Sequence, residues 1–219
     1  MFFDDPMIKA RKKVAVIVAH PDDETLWAGG TILNNPGWHC FIACLCRKDD
    51  PDRAPKFEKA LKSLGAEGAM GDLNDGPAQF PLKEEDVQAA LLRLLPATEF
   101  DLVITHSIYG EYTRHLRHEE IGRAVIKLWH CGKLNTNELW AFAYEDGRRA
   151  YKPIIIEDAP LVFALPPNLW EKKYQIITEI YGFEKNSWEA QTTPREEAFW
   201  QFDKAEAAVD WMDNGDVIA

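Results

Sequence analysis

Apolar residues follow two rhythms along this chain. Short unbroken runs alternate with stretches where apolar positions recur every three to four residues. The runs Lys13–His20 ("KVAVIVAH"), His39–Arg47 ("HCFIACLCR"), Glu67–Leu73, Phe100–His106 and Asn137–Asp146 predict buried strands. Between them, Glu24–Asn35, Ala54–Ala66, Lys83–Pro96 and His118–Gly132 carry the helical period, as in Phe57, Leu61 and Leu64. Gly65, Pro96 and Gly132 supply helix stops. Strand-helix alternation of this kind predicts an α/β fold with a mostly parallel sheet and helices on both faces. After residue 147 the alternation ends. Two short strands and two helices, Asn168–Tyr181 and Pro194–Trp211, are expected there. The acidic stretches "KEED" and "PREEAF" read as solvated helix starts. Residues 1–219 are read as one domain, with a core over 13–146 and a C-terminal extension over 147–219.

Composition narrows the class. Of 219 residues, 46% are hydrophobic and 28% charged, enough for a core without disulfides. The net charge of −11 argues against nucleic-acid and membrane-surface partners, which need a basic field. Cys40, Cys44 and Cys46 sit in or beside an apolar run, and no CxxC pair exists, so the thiols read as packing. "MFFDDPMIKARKK" lacks the apolar centre of a signal peptide, and no stretch is long enough to span a bilayer. A reduced, cytoplasmic protein is expected.

The chemistry lies where strands end. In a parallel sheet, ligands bind beyond the carboxyl ends of the strands. The first strand runs into His20-Pro21-Asp22-Asp23-Glu24, and the fourth into Thr105-His106 and then "SIYGEYTRHLRHEE". The fold therefore gathers His20, Asp22, Asp23, His106, His115 and His118 at one rim. His20 and Asp23 can face one point, and His118 can add a third ligand. Two histidines, a carboxylate and an open position form a catalytic zinc arrangement. A second carboxylate beside the metal can serve as general base, and His115 can act as an acid or stabilise an oxyanion. Each piece also has an ordinary reading: Asp-Asp as a helix cap, and HxxH as surface imidazoles. The residues alone leave both open.

The text "VAVIVAHPDDETLWAGGTI", followed by "DLVITHSIYGEYTRHLRHEEIGRAV" and joined by "RAPKFEKALKSLGA", resembles the PIG-L/LmbE family of zinc-dependent N-deacetylases. The resemblance implies a Rossmann-like fold. It implies His20, Asp23 and His118 as zinc ligands, Asp22 as general base, and His115, expected to be cationic, as oxyanion stabiliser. Arg53 matches an active-site arginine, and Tyr112 is a weaker match to a family tyrosine; both are carried as substrate-binding residues. The family's HPDH is here His115-Leu116-Arg117-His118, and Lys56 replaces a glutamate. Little after Tyr151 matches.

The expectation is a metal-dependent hydrolase that removes acetyl from an N-acetylated sugar or glycoconjugate. The alternative is an amidohydrolase acting on a small acylated amine or peptide-like compound. Zinc is the implied metal, although a His₂-Asp set also accepts Fe²⁺. The expected partner is a small N-acylated molecule, and a homo-oligomer is left open. A nucleotide-binding module is disfavoured, because the turn "HPDDET" has acids where a glycine-rich phosphate loop belongs. A metal-free regulatory protein has no support in a chain carrying every expected ligand. Trp27, Trp38 and Trp188 are candidates for sugar stacking, and the turn-rich "GDLNDGPAQFPL" is a candidate rim of the site.

Overall fold

The computed structural model describes residues 11–113 and 115–214; most of the N-terminal stretch read for a signal peptide lies outside them. In chain order the elements are β1 (Lys13–Val18), α1 (Asp23–Asn34), β2 (His39–Cys44), α2 (Arg53–Leu64), β3 (Glu67–Met70), α3 (Glu84–Leu94), β4 (Glu99–Phe100), β5 (Leu102–Thr105) and α4 (Leu116–His130). There follow β6 (Asn135–Thr136), β7 (Leu139–Phe142), β8 (Tyr144–Glu145), β9 (Ile154–Ile155), β10 (Leu161–Ala164), α5 (Pro167–Gln175), a π-helical turn (Ile176–Ile180), α6 (Trp188–Thr192), β11 (Glu196–Phe202) and α7 (Ala205–Asn214).

Seven strands form the main sheet in the order β10-β11-β7-β5-β1-β2-β3. The five from β7 to β3 are mutually parallel, and β11 pairs antiparallel with both β7 and β10. This is the expected α/β sheet. Its strands are covered on both sides, which explains their unbroken apolar runs. Val14, Val16 and Val18 of β1 point to one face, where Trp27 of α1 and Phe57 and Leu61 of α2 pack. Ala15 and Ile17 point to the other, under Val87 and Leu91 of α3 and Ile121 and Val125 of α4. From β1 the chain proceeds outward to β2 and β3, then crosses to β5 on the opposite side of β1. The order thus reverses between β1 and β5, the kind of switch point beyond whose carboxyl ends α/β sheets bind ligands.

The second C-terminal helix expected over Pro194–Trp211 is not formed. Residues 196–202 are strand β11, and a helix runs only over 205–214. "PREEAF" mimics an acidic helix start, but Glu197 is fully buried. Its carboxylate meets the Lys173 ammonium at 2.7 Å and accepts the Gly30 and Thr31 amides at 2.8 and 2.6 Å. A paired charge can occupy a buried strand position that an unpaired one cannot. The pair also ties α1, α5 and β11 together. No helix among the described residues is long and apolar enough to cross a membrane.

Removing one partner of a buried ion pair strands the other. Lys173→Met should therefore lower unfolding free energy by about 3–5 kcal/mol, measured by urea titration. A loss within error of zero would show that the pair is not a staple.

Candidate active site

The turn after β1 places His20, Asp22 and Asp23. Pro21 fixes its own φ and biases His20 away from helix, so the strand direction persists through the imidazole. Asp22 then adopts φ 122°, a conformation that side-chain-bearing residues rarely take. From there α1 begins, with Asp23 and Glu24 in its first turn. Glu24 holds the strained residue: its Oε2 accepts the Asp22 amide at 3.0 Å, and its Oε1 accepts the Thr25 and Tyr181 hydroxyls at 2.6 and 2.7 Å.

His118 arrives from α4. A Cβ on Gly122 would lie 2.6 Å from the His106 carbonyl, so the glycine lets α4 close onto the end of β5. The consequence is a triangle of three atoms. His20 Nδ1 lies 3.2 Å from Asp23 Oδ2 and 3.2 Å from His118 Nε2, and the third side is 3.4 Å. Tetrahedral zinc, with bonds of about 2.0–2.1 Å, separates its ligand atoms by about 3.3 Å.

The atoms behind the triangle also suit a metal. Trp27 Nε1 donates to Asp23 Oδ1 at 3.2 Å, leaving Oδ2 toward the histidines. Glu111, fully buried, accepts from His118 Nδ1 at 2.5 Å and from His106 Nδ1 at 3.0 Å, which directs the His118 Nε2 lone pair into the site. Burial opposes charge on Glu111, yet His106 and His118 hold its carboxyl down at about 2. His106 Nε2 accepts the Ala19 amide at 2.9 Å, so its own lone pair is already engaged. It stacks on His118 at 3.8 Å between centroids and serves as a wall. Asp23 is likewise kept well below the usual carboxylate range, because His118 and His20 outweigh its burial.

Asp22 has the opposite character. Burial and the neighbouring Asp23 push its pKa well up, against the pull of Arg53. Arg53 Nη1 donates to Asp22 Oδ2 at 3.0 Å, and its guanidinium sits 4.5 Å over the Phe183 ring. His115 lies edge-on to His20, with ring centroids 4.5 Å apart, and stacks on His118 at 4.5 Å. Its Nδ1 is buried with no hydrogen-bond partner. Burial, His118 and His20 drive its pKa down to about 3, which corrects the expectation of a cation: this imidazole is neutral. The Tyr112 ring lies 5.5 Å from His118 and 6.0 Å from His115.

The sequence reading gave Arg117 no role and named the loop that carries Asp75 only as a candidate rim. Arg117, 1% exposed, stands where the family pattern has aspartate. It donates to the Asn74 and Phe80 carbonyls, each at 2.6 Å, and pairs with Glu120, which accepts the Leu82 amide at 2.8 Å. The first turn of α4 thus clamps the "NDGPAQF" loop. The clamped loop delivers Asp75 to within 3.1 Å of His20 Nε2 and of Arg47 Nη2. Tyr181 was also missed, because it comes from the segment without a motif. Of the three tryptophans, Trp27 is buried on Asp23, Trp38 packs beside Trp140, and only Trp188 is exposed at the rim.

A family model described as GlcNAc-PI de-N-acetylase, PIG-L, matches residues 15–129, the stretch that supplies every residue of the triangle. The chain belongs to the PIG-L family. An uncharacterized protein, L374, of Acanthamoeba polyphaga mimivirus is 22% identical over 176 residues, covering 74% of this chain and 75% of that one. Among solved structures, the N,N'-diacetylchitobiose deacetylase from Pyrococcus horikoshii superposes with a TM-score of 0.69 at 18% identity, over 93% of this chain and 86% of its own. A deacetylase of teicoplanin biosynthesis gives 0.61 at 15% identity, over 86% and 97%. The 4-carboxy-2-hydroxymuconate hydratase GalB from Pseudomonas putida also gives 0.61, at 16% identity, over 88% and 97%. The fold is thus shared by proteins of more than one named activity, and the site must separate them.

Carboxylates behind metal-binding histidines tune affinity by about 10–100-fold. Glu111→Gln, and Arg117→Met through loss of the Asp75 loop, should each weaken zinc binding on that scale in chelator competition. Unchanged affinity in both would show that these contacts only support the fold.

Proposed function

We propose that the chain is a metal-dependent N-deacetylase acting on an N-acetylated sugar or glycoconjugate. The observation that carries this is the triangle of His20 Nδ1, Asp23 Oδ2 and His118 Nε2, with one further carboxylate, Asp22, beside it. The triangle suits zinc, and Fe²⁺ would fit the same donors. A divalent ion held there would polarise the amide carbonyl and bring the pKa of a water down to about 7.

The remaining steps belong to the chain. Asp22 takes the proton from the attacking water; its raised pKa makes it a better base than an exposed aspartate. Arg53 and Glu24 fix that carboxylate and its backbone in place. As the amide carbon becomes tetrahedral, neutral His115 donates a hydrogen bond to the developing oxyanion. The unpartnered, buried Nδ1 of His115 supports such a role, because a polar atom with no partner in the protein is open to one from the substrate. Asp22 then returns its proton to the amine nitrogen as the C–N bond breaks, giving acetate and a free amine. Arg53 and Tyr112 line the approach and contact the sugar. Residues 147–219 act with 13–146 as one domain, a reading supported by β10 and β11 continuing the same sheet.

Asp22→Asn should retain about one zinc per chain yet lose about 10²–10⁴ in kcat, read as acetate released from N-acetylglucosamine derivatives. Asp23→Ala and His118→Ala should lose the metal by elemental analysis. A wild-type protein that refuses added zinc would overturn the proposal. A zinc-loaded protein active only on acylated amines without a sugar would move it to the amidohydrolase alternative.

A further inference from the structure

A groove of about 620 Å³ opens beside the site, lined by Tyr112, Arg149, Tyr151, Lys152, Trp188 and Glu189 among others. Its volume lies within the range of roughly 300–1,000 Å³ typical of small-molecule sites. Tyr112 belongs to both places: its ring stands 6.0 Å from His115 and 4.9 Å from Trp188. The groove therefore adjoins the reaction centre across the Tyr112 ring. Four of these six lining residues carry an exposed or donor-rich side chain from residues 149–188, outside the stretch matched by the family model.

We propose that this groove is a binding subsite for a second pyranose ring, and that Trp188 sets a preference for oligosaccharides over single sugars. The inference rests on the deacetylase reading for its first ring only. Trp188 opens α6, where Ser187 caps the helix through the Ala190 amide at 3.2 Å. Its indole is buttressed edge-on by Trp27 at 6.5 Å and by Tyr112, yet it remains 38% exposed toward the groove. A large aromatic side chain held rigidly and left partly wet is suited to the apolar face of a sugar ring. Hydroxyl recognition needs donors at the edge of such a platform, and two cations supply them. Arg149 Nε donates to the Thr113 carbonyl at 3.1 Å and Lys152 Nζ donates to Gln191 Oε1; neither has a carboxylate partner among the described residues. Each keeps further N–H groups for a ligand.

The platform is also fixed in place. Asp146 accepts the Thr113 amide at 2.8 Å and the Thr113 hydroxyl at 2.5 Å, which clasps the Tyr112 loop to the segment bearing Arg149. Gly147, Arg148 and Arg149 all take positive φ, at 57°, 59° and 72°, so this segment turns tightly, and Arg149 lines the groove.

The test compares N-acetylglucosamine with its β-1,4-linked dimer and trimer. Binding is measured by calorimetry on zinc-loaded Asp22→Asn protein, and acetate release on the otherwise native chain. Dimer should bind about 10-fold more tightly than monomer, the scale of one aromatic stacking contact. Adding Trp188→Ala should erase that ratio while leaving monomer affinity and zinc content unchanged, and Trp188→Phe should restore part of it. A purely structural role would lower monomer and dimer binding together, and that result overturns the proposal, as does an equal affinity for all three sugars. A dimer preference without acetate release from any sugar would sink the deacetylase reading and leave the glycan subsite standing.

Discussion

One oxygen atom organises the molecule. Asp23 Oδ2 accepts the His20 amide at 2.8 Å and lies within 3.2–3.4 Å of His20 Nδ1 and His118 Nε2. Three ionisable groups cannot share so small a buried volume unless each has a compensating partner. The surrounding structure supplies those partners one by one. Trp27 takes the other oxygen, Glu111 takes the far side of His118, and Asp75 approaches the far side of His20. Much of what is unusual in this chain, from the backbone of Asp22 to the buried Arg117, follows from holding that arrangement still.

The sheet topology makes the arrangement available. His20 and His118 are 98 residues apart in sequence. They meet because β1 and β5 are parallel neighbours and the chain changes direction of winding between them. Distant residues are thus brought to one rim by backbone pairing, and small adjustments such as Gly122 set the final spacing. Fold and activity are therefore separable here: the frame brings distant residues to one rim, and the side chains at that rim decide the chemistry.

The core elements and the triangle were legible in the sequence because they obey local rules. Buried strands read as Val-Ile runs, helices as spaced leucines, and strand ends as the place to look for polar residues. What escaped had a non-local cause. Glu197 looked like a solvated helix acid because its partner, Lys173, lies 24 residues away and its other contacts lie on α1. Arg117 looked like a disrupted motif because the carbonyls it grips belong to a loop about 40 residues earlier. Glu111 stands in "GEYTRHLRHEE", but its double hydrogen bond depends on the stacking of His106 on His118, which no local pattern announces. His115 read as a cation only until its burial between two imidazoles was known.

The placement of β11 bears on how the chain must be built during synthesis. β10 leaves the ribosome more than thirty residues before β11, yet its place in the sheet is against β11 and not against β7. Until residues 196–202 emerge, β7 presents an open edge and β10 has nothing to pair with. A nascent chain in that state displays the unpaired backbone that invites association between molecules. Of the described strands, the last in sequence is therefore the one that joins β10 to the sheet. Glu197, which anchors it to α1 and α5, connects docking of β11 to protection from aggregation.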